Sequence, residues 1–461
     1  MEAVHKNLIA KANAAVTAAQ SAVSDDPLRP KYHFTAPAHW MNDPNGPVYY
    51  KGAYHLFYQH NPYGPDWGNM SWGHAVSKDL VHWKHLPIAL TPTLGTVDKD
   101  GVFSGSCVIY DNVPTIIYTG VQPEVQCIAH SYDDLTTWIK YEGNPVISIP
   151  PRKDLTGFRD PFVWREGAHW YMLIGSGIKD VGGAALLYKS GDLIRWTYLH
   201  PFCTGFGKIW ECPLFFPLGD KYILIVSPES TVQYSIGEYI DHKFYPESWQ
   251  ALDLGESDAF YAPNVLPDSN NRCILWGWIK GGGKPGYPWN GLLTLPRILS
   301  INSTGSLMQA PAPELKILRE SAYSFSDIKL LSTAEYLLPN IRSGCWEIKI
   351  KLHLSQADKF GICWGCINDP DDELMIVYDS THKKLMISPL AKSYSLTDLK
   401  SQIIFHVFFD QSVYEIFIDY RICITGRYYP KKIQNHRLAL NLFGSAALIQ
   451  SLQFWELKSI N

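Results

Sequence analysis

The stretch Asp192-Leu-Ile-Arg-Trp196 has two close copies upstream, Asp79-Leu-Val-His-Trp83 and Asp134-Leu-Thr-Thr-Trp138, and a weaker one ending at Trp249. The shared pattern D-L-x-x-W returns at intervals of roughly fifty-odd residues, longer than a two-helix repeat and suited to a unit of several short strands, as in a β-propeller blade. Between the copies lie strand-length runs of β-branched and aromatic residues: His55-Leu-Phe-Tyr58, Thr115-Ile-Ile-Tyr118, Trp170-Tyr-Met-Leu-Ile174, Tyr222-Ile-Leu-Ile-Val226 and Cys273-Ile-Leu-Trp-Gly-Trp278. Clusters of Gly, Pro, Asn and Asp bound these runs, and no long helical period interrupts them. Five blades fit residues 30–310.

Outside this stretch the texture changes. Residues 1–29 read as an N-terminal helical extension, Ala-rich and amphipathic, with Leu8, Ala12 and Val16 on one face and a stop at Ser24-Asp-Asp-Pro27. Residues 304–325, with Gly305, Pro311 and Pro313, read as a linker, and beyond residue 320 the D-L-x-x-W pattern is gone. Trp346-Glu-Ile-Lys-Ile-Lys-Leu-His353 and Val413-Tyr-Glu-Ile-Phe-Ile-Asp-Tyr420 alternate apolar and polar residues, the mark of sheets with one wet face, as in a sandwich. The expected fold is all-β: a short N-terminal helix, a five-bladed β-propeller over 30–310 and a C-terminal β-sandwich over 320–461.

Composition narrows the function. The 461 residues carry a net charge of −4, which gives no basic footprint for nucleic acid. No run of 18 apolar residues is present to span a membrane. Glu2, His5, Lys6, Lys11 and Gln20 interrupt the N-terminal segment, so it does not read as a secretory signal and a cytoplasmic location is expected. The nine cysteines are irregularly spaced, and Cys363 and Cys366 form a CxxC with no second pair, so buried free thiols are expected and no metal site. Aromatic residues reach 13%, which suits strands first and also suits surfaces that pack on sugar rings.

Three acidic motifs carry the candidate chemistry. Asp43 lies in Trp40-Met-Asn-Asp43-Pro-Asn-Gly46; alone this is a turn, but its surround is aromatic and Phe57-Tyr-Gln-His-Asn-Pro62 follows within a hairpin length. Asp160 lies in Phe158-Arg-Asp160-Pro161, where Arg159 would hold it ionised; the plain alternative is a structural ion pair. Glu211 lies in Trp210-Glu211-Cys-Pro213, where a partly apolar pocket would raise its pKa as a general acid requires; the plain alternative is a solvent-facing Glu on an edge strand. Asp43, Ser104, Asp160, Glu211 and Asp258 keep nearly the same beat as the repeat. One position per blade would bring all five to one end of a propeller axis. Cleaving a glycosidic bond with retention takes two carboxyl groups about 5–5.5 Å apart, one as nucleophile and one as acid.

Taken together and in this order, the motifs resemble glycoside hydrolase family 32, the invertase, inulinase and levanase family. The resemblance covers the whole chain and implies a five-bladed propeller followed by a C-terminal β-sandwich. It implies Asp43 as nucleophile, Asp160 as transition-state stabiliser and Glu211 as acid/base. Substrate contacts would come from Asn42, Gln59, Trp67, Phe103, Ser104, Arg159, Asp258, Tyr261 and Trp289, while Asp410-Gln-Ser-Val-Tyr-Glu-Ile-Phe417 matches a structural signature of the sandwich. Two departures are visible: Asp258-Ala-Phe-Tyr-Ala262 is one residue longer than the family's D-x-Y-A element, and Leu214 stands where many members carry a polar residue. The implied activity is that of a retaining β-fructofuranosidase acting on sucrose or short fructo-oligosaccharides, with no cofactor and only a small sugar as partner. The alternatives are a sucrose-6-phosphate hydrolase, with Lys208, Lys280 and Lys284 as candidate phosphate partners, a fructosyltransferase, or a non-catalytic fructan-binding protein.

Overall fold

The D-L-x-x-W segments are turns that join the third and fourth strands of successive antiparallel sheets. The computed structural model describes residues 2–255, 259–283, 285–331, 335–338, 344–354, 359–366, 372–396, 399, 401–431, 436–443 and 446–460. The chain divides into two units, Met1–Asp26 with His33–Glu314, and Pro27–Tyr32 with Leu315–Asn461.

In the first unit the strands run β1 (His39–Tyr50), β2 (Ala53–Asn61), β3 (Ser71–Ser77), β4 (Trp83–Leu90), β5 (Gly101–Tyr110), β6 (Val113–Val121), β7 (Val125–His130) and β8 (Ile139–Lys140). They continue as β9 (Leu155–Glu166), β10 (His169–Ile178), β11 (Gly182–Ser190), β12 (Trp196–Gly205), β13 (Glu211–Leu218), β14 (Lys221–Ser227), β15 (Gln233–Ile240) and β16 (Lys243–Ala251). The last five are β17 (Phe260–Pro267), β18 (Cys273–Gly282), β19 (Trp289–Leu293), β20 (Arg297–Ile301) and β21 (Leu307–Pro311). β5–β8, β9–β12 and β13–β16 are separate four-stranded sheets that pair in chain order. β1–β4 pair likewise but belong to a nine-stranded sheet, which crosses from β1 to β19 and on to β18, β20 and β21, with β17 on β18. The β1–β19 pairing is parallel, His39 opposite Trp289.

The repeated turn has a definite build. Leu80, Leu135 and Leu193 adopt left-handed backbone, with φ of 65°, 64° and 63°. That conformation is costly for a residue with a side chain. It is offset by burying the leucine side chains and by an aspartate that collects free N–H groups. Asp79 accepts from Val81 and His82, and Asp192 from Ile194 and Arg195, each at 3.0 and 2.8 Å. The indoles of Trp83 and Trp196 then donate to the carbonyls of Leu80 and Leu193. In the middle copy one residue is inserted, and the acceptor is Asp133, bonded to Thr137, not the Asp134 that the pattern suggests. The weaker copy is not this turn at all: Trp249 lies inside β16.

The N-terminal helix α1 (Glu2–Ser24) buries His5, Ala12, Val16 and Val23, spaced by seven and four, on one face. β4 ends its sheet, and an open strand edge presents unpaired N–H groups. Two side chains of the helix accept them: Asn13 from Ile88 at 3.1 Å and His5 from Thr91 at 3.3 Å. No described helix is long and apolar enough to cross a membrane.

The second unit holds two six-stranded sheets. One runs in spatial order Arg319–Leu331, Ala446–Leu457, Cys345–His353, Gln402–Asp410, Val413–Ile418 and Ile422–Arg427. The other runs Glu335–Leu338, His436–Phe443, Lys359–Cys366, Glu373–Asp379, Lys384–Ser388 and Lys392–Ser395. Their facing sides meet through aromatic rings, Trp346 on Trp364 at 5.7 Å and Phe360 on Phe405 at 5.9 Å, consistent with a sandwich. Trp346, Ile348, Ile350 and Leu352 alternate inward as expected. Val413–Ile418 does not have the wet face its alternation suggested; every residue in it is buried. Its outer side is covered because Phe417 packs on His406 and Phe408 of the neighbouring strand. Asp410 accepts the backbone N–H groups of Lys31 and Tyr32 at 2.7 and 2.9 Å, which anchors the segment Pro27–Tyr32.

Candidate active site

Five strands of the first unit each slip register beside a residue of one cavity. The slips fall at Asn42-Asp43 in β1, Ser104 in β5, Asp160-Pro161 in β9, Cys212-Pro213 in β13 and Ala262-Pro263 in β17. These are β-bulges, which bend a strand and re-aim its side chains. Proline suits the bulge because it has no N–H to leave unpaired. The residue before it takes the strain: Asp160, Cys212 and Ala262 have φ of 62°, 44° and 42°. Gly46 follows the first bulge at φ 39°, and a Cβ there would stand 2.6 Å from the backbone nitrogen of Cys107, so β1 approaches β5 as only glycine allows.

The bulges gather the acidic groups around a cavity of about 350 Å³. Asp43 accepts hydrogen bonds from Ser104 Oγ at 2.6 Å and Asn42 Nδ2 at 3.0 Å, and Asn42 is itself held by the Trp40 indole at 2.7 Å. Asp160 accepts the Cys212 N–H at 3.0 Å, and its own N–H donates to Thr119 Oγ1 at 3.1 Å. The Cys212 thiol lies between the two carboxylates, 3.5 Å from Asp43 and 3.6 Å from Asp160. Glu211 takes the Arg159 guanidinium on one oxygen at 2.9 Å and the Tyr261 hydroxyl on the other at 2.6 Å. Gln59 donates to the Val102 carbonyl at 3.0 Å. Trp67 meets Phe103 edge-on at 6.0 Å on one wall, and Trp278 and Tyr261 form another.

Burial raises the Asp43 carboxyl, and the bonds from Ser104 and Asn42 oppose it. Burial pushes Asp160 further, up to about 7, against the pull of Arg159 and with help from the charges of Glu211 and Asp43. Burial also drives the Cys212 thiol up, so it remains protonated and can donate to one or the other carboxylate. The charges of neighbouring carboxyls thus act on Asp43 and Asp160 in the same direction as burial.

Family sequence models fit this chain along its length. The model described as Glycosyl hydrolases family 32 N-terminal domain matches residues 33–311, and that described as Glycosyl hydrolases family 32 C terminal matches residues 314–456. The chain belongs to glycoside hydrolase family 32. It is therefore a glycoside hydrolase of the sucrose and fructan family. The sucrose-6-phosphate hydrolase of Escherichia coli is 34% identical over 470 residues, covering 93% of this chain and 94% of the relative. The levanase of Bacillus subtilis is 33% identical, covering 80% of this chain and 59% of the relative. Among solved structures, fructan 1-exohydrolase IIa from Cichorium intybus superposes with a TM-score of 0.85 at 26% identity, over 94% of this chain and 98% of that one. A mutant of the Bombyx mori GH32 beta-fructofuranosidase in complex with sucrose gives 0.84 at 28% identity, over 98% and 99%.

Within this family-32 site the residues anticipated from sequence are mostly together, with corrections. Arg159 does not pair with Asp160; consecutive residues diverge at the bulge, and the guanidinium spans Glu124 and Glu211. The surround of Glu211 is accordingly cationic and phenolic where a partly apolar pocket was expected. Trp289 is buried away from the cavity with its indole on Asp26 at 2.9 Å, and Trp278 supplies the aromatic wall instead. Leu214 turns into the hydrophobic core, so its departure from the family pattern does not face the site. Asp258 and Lys284 lie outside the described residues. Glu124, Cys212 and Trp278 were missed. The E-C-P motif could have flagged Cys212, but Glu124 stands in a β6–β7 turn without a motif.

Proposed function

We propose that this family-32 enzyme is a retaining β-fructofuranosidase that releases terminal fructose from sucrose or short fructo-oligosaccharides. The observation that carries the reading is the placement of Asp43, Asp160 and Glu211 on or beside bulges around one cavity of about 350 Å³. A five-bladed arrangement of residues 30–310 is supported by the first strands, which pack in the order β1, β5, β9, β13, β17 and back to β1. One site residue comes from each: Asp43, Ser104, Asp160, Glu211 and Tyr261.

In the first step Asp43 attacks the anomeric carbon while Glu211 protonates the leaving oxygen. Asp160 binds fructosyl hydroxyls as charge develops on the ring, and Trp67 and Phe103 wall it. Glu211 then takes a proton from the water that releases fructose.

A second reading, hydrolysis of sucrose 6-phosphate, draws on a neighbouring cavity of about 450 Å³ that shares Arg159 and is lined by Lys179 and Lys208 together with Asp180 and Glu229. Cations beside the leaving-group side would suit a phosphate. Lys280 is placed differently, with its ammonium over the rings of Tyr261 and Trp278 at 4.5 and 5.1 Å.

Initial rates of fructose release from equal concentrations of sucrose, sucrose 6-phosphate, 1-kestose, inulin and levan separate the two. A preference for the phosphorylated sugar that Lys208→Ala abolishes supports the second reading. Asp43→Asn is expected to keep the fold and lower turnover by at least about a thousandfold. Near-normal turnover in that variant removes Asp43 from the mechanism.

A further inference from the structure

The Arg159 guanidinium is held at both ends. Its Nη1 is 2.8 Å from Glu124 Oε1, and its Nε and Nη2 are 3.3 and 2.9 Å from Glu211 Oε1. The other oxygen of Glu124 accepts the N–H of Phe158 at 2.5 Å, the residue just before the arginine. Glu124 thus fixes both the backbone that carries Arg159 and the far end of its side chain. All three side chains are largely buried, with 19–24% of each exposed. At that depth a bidentate arginine keeps its geometry and its charge acts at close range.

We propose that Glu124 is a positioning residue for the acid/base, a role that rests on the assignment of Glu211 above. It works in two ways. It holds the Nε–Nη2 edge of Arg159 against Glu211, opposite the Tyr261 hydroxyl, so that the carboxyl is clamped from both sides. It also offsets part of the arginine's positive charge, which would otherwise favour the ionised form of an acid that must deliver a proton. A lone Arg–Glu pair would hold Glu211 in place but would make it a weaker proton donor at neutral pH. The Glu124–Arg159–Glu211 chain gives the same placement with a smaller field.

The test is Glu124→Gln, which keeps an oxygen for the Phe158 N–H and removes the charge together with the acceptor that faces Arg159 Nη1. The pH profile of kcat/KM is measured with sucrose and with p-nitrophenyl β-D-fructofuranoside, whose leaving group needs little protonation. With sucrose, the alkaline limb is expected to move about half a pH unit or more to lower pH, and the rate near neutrality to fall about five- to tenfold. The activated substrate is expected to lose much less. Glu124→Asp should recover part of the profile. An unmoved limb, or an equal loss on both substrates, overturns the proposal and leaves Glu124 a purely structural anchor. Glu211→Gln run alongside distinguishes the underlying reading: full activity on sucrose in that variant removes the acid/base assignment itself.

Discussion

Asp43 is part-buried, and two hydrogen bonds oppose the rise that desolvation gives its carboxyl. The shorter comes from Ser104 at 2.6 Å, and it favours the charged form that the proposed nucleophilic role requires. Removing it with Ser104→Ala leaves burial less opposed. The carboxyl then ionises at higher pH, so the acid limb of kcat/KM should move to higher pH. The rate should fall about ten- to a hundredfold, the usual worth of a hydrogen bond to a charged group. A limb that stays in place while the rate falls would mean that the group titrating there is not Asp43. At this scale the sequence was legible where chemistry is written in a motif. W-M-N-D-P, R-D-P and E-C-P located the three carboxylates. Glu124 was not legible, because its partner lies 35 residues away and is met only through the β6–β7 turn.

Elements were legible in type and less so in detail. The D-L-x-x-W pattern marked three real turns, but the inserted residue in the middle copy moved the acceptor from Asp134 to Asp133. A comparison of alanine variants checks this. Asp133→Ala removes bonds to the N–H and hydroxyl of Thr137 and should cost about 1 kcal/mol of unfolding free energy. Asp134→Ala removes exposed contacts with Lys51 and Tyr50 and puts alanine at φ 56°, so it should lower the urea midpoint by less than Asp133→Ala does. The reverse order would show that the repeat pattern, not the insertion, sets the turn. The bulges escaped sequence reading for a different reason. A bulge is a mismatch between two strands, and one strand's residues do not reveal the register of its neighbour.

Across the whole molecule, buried histidines should govern the acid side of stability. His55 and His60 are each pushed down to about 4, chiefly by burial, and His74 is driven well below its ordinary value for the same reason. A folded value below the unfolded 6.5 means that the unfolded chain binds more protons between about 4 and 6.5. Stability from these rings is therefore complete above about 6.5 and is lost as pH falls toward about 4. At pH 5 each of the two should contribute about 2 kcal/mol less than at neutrality. Asp160, raised to about 7, works in the opposite sense over the same interval, as one group against several. Denaturant unfolding at pH 7 and pH 5 reads the balance. Stability that is level or higher at pH 5 would show that the imidazoles are charged or solvated in the folded protein.

The sequence by itself determined that the chain is all-β, that it repeats, which family it belongs to and which three motif carboxyl groups would be found around one cavity. Those properties rest on residue types at fixed spacings along one strand or turn, and spacing survives without coordinates. The tertiary structure decided how the acidic groups are paired. It gave Arg159 to Glu124 and Glu211 instead of Asp160, placed Trp278 where Trp289 was expected, and set a thiol between Asp43 and Asp160. It also buried both faces of Val413–Ile418. Each of these depends on which strands become neighbours and how their bulges turn the side chains. That is a property of the packed sheets, and no local run of residues encodes it.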